Sequence, residues 1–350
     1  MLSDRRRLIL KMIIDEFIDS ANPVGSKMLI NKYQIPFSSA TIRNEMMALE
    51  ELGLLEKTHT SSGRVPSEDG YKFYIDNLIG NERGTVRSIT SSDDANETHQ
   101  MFEELVRICY QAETSFDEKI REIIKIISKI TNYTVFYLGP SLERTVVASL
   151  RLVQISTQES LILLVTDVGK IETKVVVTRS LEDYTLLENI IKYLNEILVG
   201  TPLSVLNDRL STDIAPFLNQ RLRNYEIFHK ELSDFFSSFV GSATYFSGQV
   251  NMLTDESMTD FRTLKEIFNF FEDEHAMQWF KSEEAGIDVH IGEEIRNPLF
   301  KDNAIIRLTF KMPLQGYGTI GIIGPKRMHY NDVIQLLMFI RQFIDKGGNV

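Results

Sequence analysis

Arg43 and Asn44 stand together in SSATIRNEMMALEELGLLEKTHTSSGRVP, residues 38–66, between serines that can cap a helix and Gly53, which can end one. At about 100° per residue, Ile42, Met46 and Leu49 share one side of that helix, while Ala40, Arg43, Asn44, Met47 and Glu51 share the other, with Thr41 flanking. Arginine can hold guanine through two hydrogen bonds and asparagine can do the same with adenine. Ala40, Thr41 and Met47 can touch thymine methyls. These side chains crowd the N-terminal half of the helix, the part that enters a major groove in helix-turn-helix readers. Beyond Gly53, Leu54 to Thr58 reads as a strand and Arg64-Val65-Pro66 as its return, with a polar tip of His59, Thr60, Ser61, Ser62 and Gly63. Lys57 and Arg64 flank that tip, which suits contact with a phosphate backbone or a minor groove. The candidate nucleic-acid contacts are therefore Ser39, Ala40, Thr41, Arg43, Asn44 and Met47 on the helix, with Lys57, His59, Thr60, Ser61, Ser62 and Arg64 on the hairpin.

The preceding residues supply the rest of a helix-turn-helix. Ser3 can cap a first helix running to about Ser20, with Leu8, Ile9, Met12, Ile13 and Phe17 as its buried stripe. Asn22-Pro23-Val24-Gly25 breaks it, Ser26 starts a short second helix, and Pro36 in QIPF forces the turn before the third. Arg5, Arg6 and Arg7 open the first helix, either as a solvated basic turn or as phosphate contacts at the edge of the unit. Ser67 caps a fourth helix whose Tyr71, Tyr74, Ile75 and Leu78 close the core. The expected architecture of residues 1–80 is a winged helix-turn-helix.

A chain of 350 residues, 43% hydrophobic and 25% charged, is expected to fold as two or three globular domains. The net charge of −11 argues against a broad phosphate-binding surface. Residues 1–80 carry ten Lys/Arg and eleven Asp/Glu, so nearly all the excess acid lies beyond them. Lys11, Asp15 and Glu16 interrupt the apolar N-terminal run and exclude a signal-peptide reading. No apolar run approaches the roughly 20 residues of a membrane span. The single cysteine, Cys109, excludes an internal disulfide framework and sits on an apolar stripe. A cytoplasmic location with no membrane association is expected.

Residues 81–100, GNERGTVRSITSSDDANETHQ with its leading Gly80, form a polar linker. Two helices follow, near residues 103–112 and 116–130, then strands at 133–138, 145–155, 160–166 and 171–178 and a helix at 181–198. Strands return at 287–291, 304–311 and 318–324 before a closing helix. One antiparallel sheet flanked by helices, from residues 101–212 and 285–350, is the economical arrangement. Residues 213–284 are rich in aromatics, too many for a small segment to bury alone. Some of these rings must form local core, the alternative being that all do; as a subunit interface, the candidates are Phe235, Phe236, Phe239, Phe246, Phe268, Phe271 and Trp279.

The runs SATIRNEM, LEELGLLEKTHT and GRVPSEDGYKFYID, followed by GPSLERTVVASLRLVQIS, LLVTDVGKIETKVV and GTIGIIGPKRMHYNDVIQLLMFI, resemble HrcA, the heat-inducible transcription repressor family of bacteria. Ser62 departs from the alanine common at the family's hairpin tip. The resemblance covers nearly the whole chain. It implies an α+β multidomain protein: a winged helix-turn-helix, a GAF-like antiparallel sheet domain with flanking helices, and an inserted dimerising domain at 213–284. It also implies a homodimer that represses heat-shock operons of the groE and dnaK type through the inverted-repeat CIRCE operator, with the GroEL chaperonin favouring the active repressor.

No HExxH, P-loop or GxSxG pattern is present, so no enzyme and no cofactor are expected. His290 with Glu293 and Glu294 lacks a second histidine or cysteine cluster for a metal site. Gly316, Gly318, Gly321 and Gly324 alternate with isoleucines and fit a strand better than a phosphate cradle. The alternative function is a winged-helix regulator whose GAF-like body senses a small metabolite.

Overall fold

The computed structural model describes residues 2–58, 63–79, 95–111, 116–140, 145–177, 180–216, 219, 230, 232–236, 244–254, 261–282, 284–312 and 316–345. Helix α1 (Asp4–Ser20) is capped by Ser3 and stopped by Ala21, whose φ is 53°. Helices α2 (Ser26–Tyr33) and α3 (Ser39–Glu51) follow, then an antiparallel hairpin of β1 (Leu55–Lys57) and β2 (Arg64–Pro66), and α4 (Glu68–Asn77). Val24 exchanges two backbone hydrogen bonds of 2.9 Å with Arg64, tying the α1–α2 connection to the hairpin. In α1 the buried face is Ile9, Leu10, Ile13, Ile14 and Ile18, while Leu8 is exposed and Met12 and Phe17 are half-buried. The expected stripe was thus rotated from the true one. LILKMII is apolar almost all round, and α3, α4 and β2 packing on α1 select the buried side.

The body is built on a five-stranded antiparallel sheet in the order β7 (Thr244–Ser247), β3 (Thr134–Leu138), β10 (Gly316–Pro325), β9 (Asn303–Met312), β8 (Gly286–Ile291). Alternation divides its side chains between two cores. Val135, Tyr137, Ile306, Leu308, Ile320 and Ile322 face α5 (Ala95–Tyr110), α6 (Phe116–Thr131) and α9 (Tyr330–Asp345). This core runs without a break into the N-terminal unit, because Tyr71 of α4 packs on Tyr330 of α9 with ring centroids 5.5 Å apart. Cys109 is buried here, and burial pushes its thiol up to about 12.

The opposite face carries Phe136, Leu138, Ile305 and Ile323, covered by Met252, α8 (Phe261–Glu272) and the chain through Phe280 and Phe300. Phe136 and Phe280 stack at 5.2 Å, and Phe246 meets Phe271 at 5.0 Å.

The glycines of β10 are seats for aromatic rings. A Cβ on Gly321 would lie 2.0 Å from Phe136, its cross-strand partner, and one on Gly318 would lie 2.9 Å from Phe310. Gly321→Ala is expected to cost about 1–3 kcal/mol, because Phe136 has no free volume to enter. Thermal denaturation of the variant measures it.

A second, three-stranded sheet departs from the single sheet expected. It is the meander β4 (Val147–Gln154), β5 (Glu159–Thr166), β6 (Ile171–Val177). Helix α7 (Leu181–Leu198) covers one face, through Ile190, Ile191, Leu194 and Leu198, with the helical run from Leu203 to Ile214 and with Leu232, Phe235 and Phe236 completing this core. The other face is open: Val153, Ile155, Ile171, Val175 and Val177 are exposed. In packing, residue 213 lies in the helical run that completes the meander core, whereas β7 and α8 pack with the large sheet. The strands expected at 145–155, 160–166 and 171–178 form the meander and not the large sheet, since alternation reveals strands without saying which sheet each one joins.

Candidate nucleic-acid interface

Helix α3 is set by its polar start and its apolar underside. Ser38 Oγ accepts from Thr41 N at 3.1 Å and contacts Thr41 Oγ1 at 2.8 Å, so the Thr41 hydroxyl is engaged locally. Ser39 Oγ meets Ser26 Oγ at 2.9 Å, joining the first turns of α2 and α3. Ile42, Met46 and Leu49 are buried, as their spacing predicts. Ala40, Arg43, Asn44 and Met47 are exposed on the other side. Among the described residues neither Arg43 nor Asn44 has an ion-pair or hydrogen-bond partner, so both retain their full donor capacity.

Glu45 was not anticipated. Three residues after Ile42 and four before Leu49, it lies on the buried side of α3, where Arg5 Nε donates to Oε1 and Arg6 Nε to Oε2, both at 2.7 Å. Hydrogen bonding from Arg6, opposed by burial and reinforced by Arg5, holds its carboxyl below the usual glutamate range. A carboxylate on an apolar stripe, paired with an arginine run at the chain start, was the readable signal. Arg5 and Arg6 thereby brace α3, and neither is a free phosphate ligand. Because the folded pKa is depressed, this contribution is present above the ordinary glutamate value and is lost as pH falls through the folded one. Glu45→Gln should lower stability at neutral pH by about 1 kcal/mol, discounted for the half-exposed arginines. Urea midpoints should also show a flatter acid decline than in the parent protein.

The hairpin divides its predicted contacts. Lys57 is exposed on β1. Arg64 is turned inward: Nε donates to Glu50 Oε2 at 2.6 Å and Nη1 to the Gly63 carbonyl at 3.3 Å. Expected beside Lys57 as an outward contact, Arg64 instead fastens the hairpin to the last turn of α3, since Glu50 offers the nearest carboxylate. His59, Thr60, Ser61 and Ser62 lie outside the described residues.

Helix α4 fixes this surface to the body. Ser67 Oγ caps it at Gly70 N (2.9 Å) and donates to the Gly53 carbonyl (2.5 Å). Tyr74 donates to Asp15 Oδ1 at 2.6 Å, although burial still leaves that carboxyl above its ordinary value. Glu68 pairs with Lys326 at 2.6 Å, and Lys72 pairs with Glu294. Gly292, at φ 55°, leaves space for the Glu68 carboxylate where a Cβ would collide.

Of the candidate interface aromatics, Phe235, Phe236 and Phe271 are buried within the chain, and Phe246 is half-buried on the sheet core. Phe235 and Phe236 pack in the meander core and Phe271 in the core of the large sheet. The large sheet and the small meander supply the apolar walls that residues 213–284 lack alone. Trp279 is exposed, Phe239 lies outside the described residues, and the Phe268 side chain does too.

The chain is an α+β protein with antiparallel sheets and an outward, donor-bearing helix side near its N-terminus. It belongs to the HrcA family, whose model, described as the HrcA protein C terminal domain, matches residues 117–334. A crystal structure of a hypothetical protein at 2.2 Å resolution shares the fold, with a TM-score of 0.71 and 20% identity over 99% of this chain and 98% of that one. An IclR family transcriptional regulator from Brucella abortus aligns over 98% of this chain and 91% of its own at 10% identity, with a TM-score of 0.20. HmgR of Pseudomonas aeruginosa aligns over 99% of this chain and 98% of its own at 10% identity, with a TM-score of 0.18. No described helix is long and apolar enough to cross a membrane.

Proposed function

We propose that this chain is a non-catalytic repressor that binds double-stranded DNA through a winged helix-turn-helix. It would act as a homodimer on the inverted-repeat CIRCE operator of groE- and dnaK-type heat-shock operons. The observation that carries this reading is the division of α3. Its apolar side and Glu45 are locked into the unit, and Ala40, Arg43, Asn44 and Met47 are left outward beside a hairpin bearing Lys57. The large antiparallel sheet with its helices is read as GAF-like. GroEL regulation comes from the family resemblance.

Dimerisation is assigned to the open face of the meander. Val153, Leu161 and Val175 lie in one cross-strand row, and Val165 and Ile171 are paired in another. The row between them is Arg151, Leu163 and Thr173, so the face is mainly apolar with one central cation. So much apolar surface is costly to leave wet and suits a second copy related by a two-fold axis. Two linked readers would then meet the two half-sites of a palindrome. Selection of binding sites from random DNA, with and without chaperonin, tests the whole reading. A palindrome enriched more strongly with chaperonin is expected, and enrichment of single half-sites alone would overturn the dimeric repressor.

A further inference from the structure

Between α4 and the β8 edge of the large sheet lies a cleft of about 480 Å³ lined by Lys72, Trp279, Phe280, Val289, His290 and Glu294, with Ile295, Arg296, Ile305 and Arg307. Its volume falls within the range of small-molecule sites. Its floor is ordered by charge. Arg307 Nε donates to Asp288 Oδ1 at 2.9 Å and Nη1 to the Phe280 carbonyl at 3.2 Å. Arg307 Nη2 lies 2.8 Å from His290 Nε2. Arginine can only donate, so in that contact the histidine nitrogen accepts. The 3.4 Å separation of the same nitrogen from Asp288 Oδ2 is the longer contact.

The unmatched groups all point to one ligand chemistry. Glu294 is paired with Lys72, whereas among the described residues Arg296 has no ion pair and the Trp279 indole N–H has no acceptor. Arg296 is held at φ 54°, a conformation uncommon for its type, at the end of the 3₁₀ turn Gly292–Ile295. Trp279 is 45% exposed, and Phe280 steadies its ring from the side with centroids 5.4 Å apart. Cationic and neutral donors beside an open indole face favour an oxyanion carried on a flat ring. We propose that this cleft binds a small planar anion, an aromatic carboxylate or phosphate. Its oxyanion would lie at Arg296 and its ring on Trp279. Because Lys72 comes from α4 and the other walls from the body, such a ligand would bridge the two. This inference goes beyond the DNA-binding reading and rests on the docking of α4, independently of what α3 contacts.

Trp279 is the sole tryptophan, so its fluorescence reports the cleft directly. The full chain, without DNA, is titrated with benzoate, phenyl phosphate and the non-planar cyclohexanecarboxylate. Saturable changes are expected for at least one planar anion, with cyclohexanecarboxylate at least about tenfold weaker. Arg296→Gly keeps the positive φ accessible, and Lys72→Ala alters an exposed helical position. Each should weaken binding about tenfold with an unchanged circular dichroism spectrum. The better of the two planar probes identifies the oxyanion. Unsaturable quenching by both, or an unchanged midpoint in Arg296→Gly and Lys72→Ala, would overturn the proposal.

Discussion

Arg43→Ala is expected to weaken binding to the selected operator by about 1–3 kcal/mol and to relax preference at one base position in each half-site. The size follows from what the side chain is free to do. Its guanidinium has no partner among the described residues, so the substitution removes nothing that holds α3 in place. Stability should therefore stay within about 0.5 kcal/mol of the parent. The contrast is with Arg64, whose pair with Glu50 is internal, and whose loss would act through hairpin placement. Competition binding on the selected site and on random DNA separates the possibilities. An equal loss on both would make Arg43 a phosphate contact and would remove its role in base recognition.

Val175→Asp is expected to leave a folded monomer and to reduce affinity for the full palindrome by about 100-fold or more. A carboxylate brought into an apolar interface without a partner costs several kcal/mol, and two copies of it would oppose each other across a two-fold axis. The free protomer tolerates the change because Val175 is 53% exposed. Its neighbour supplies the control. Val176 is 7% exposed and faces the core beneath α7, so Val176→Asp should destabilise the fold itself. Analytical ultracentrifugation paired with thermal denaturation distinguishes them. A dimer that survives Val175→Asp would move the interface elsewhere.

Local chemistry made much of this structure readable in advance. Ser3, Ser38 and Ser67 each cap the helix they precede, because a short hydroxyl followed by helical periodicity is a short-range signal. The outward side of α3 follows from angle alone. The partition of the body did not follow: β3 is buried at every position and β5 alternates, but a strand's own pattern does not say which strands it pairs with. Phe235 and Phe271 illustrate the same limit: composition revealed excess aromatic surface, and only tertiary packing showed which walls receive it. Glu45 and Arg64 were missed or misplaced for a related reason. Their partners lie 39 or 40 and 14 residues away, beyond any helical or hairpin spacing.

The contact between Tyr71 and Tyr330 also bears on how the molecule melts. A tethered reader with its own core would unfold as a separate calorimetric event. Here the first four helices and the large sheet share apolar surface, so loosening α9 withdraws support from α1 and α4 as well. Heat reaching the body is thereby felt at α3 within one cooperative transition, and calorimetric and van't Hoff enthalpies over these elements should agree.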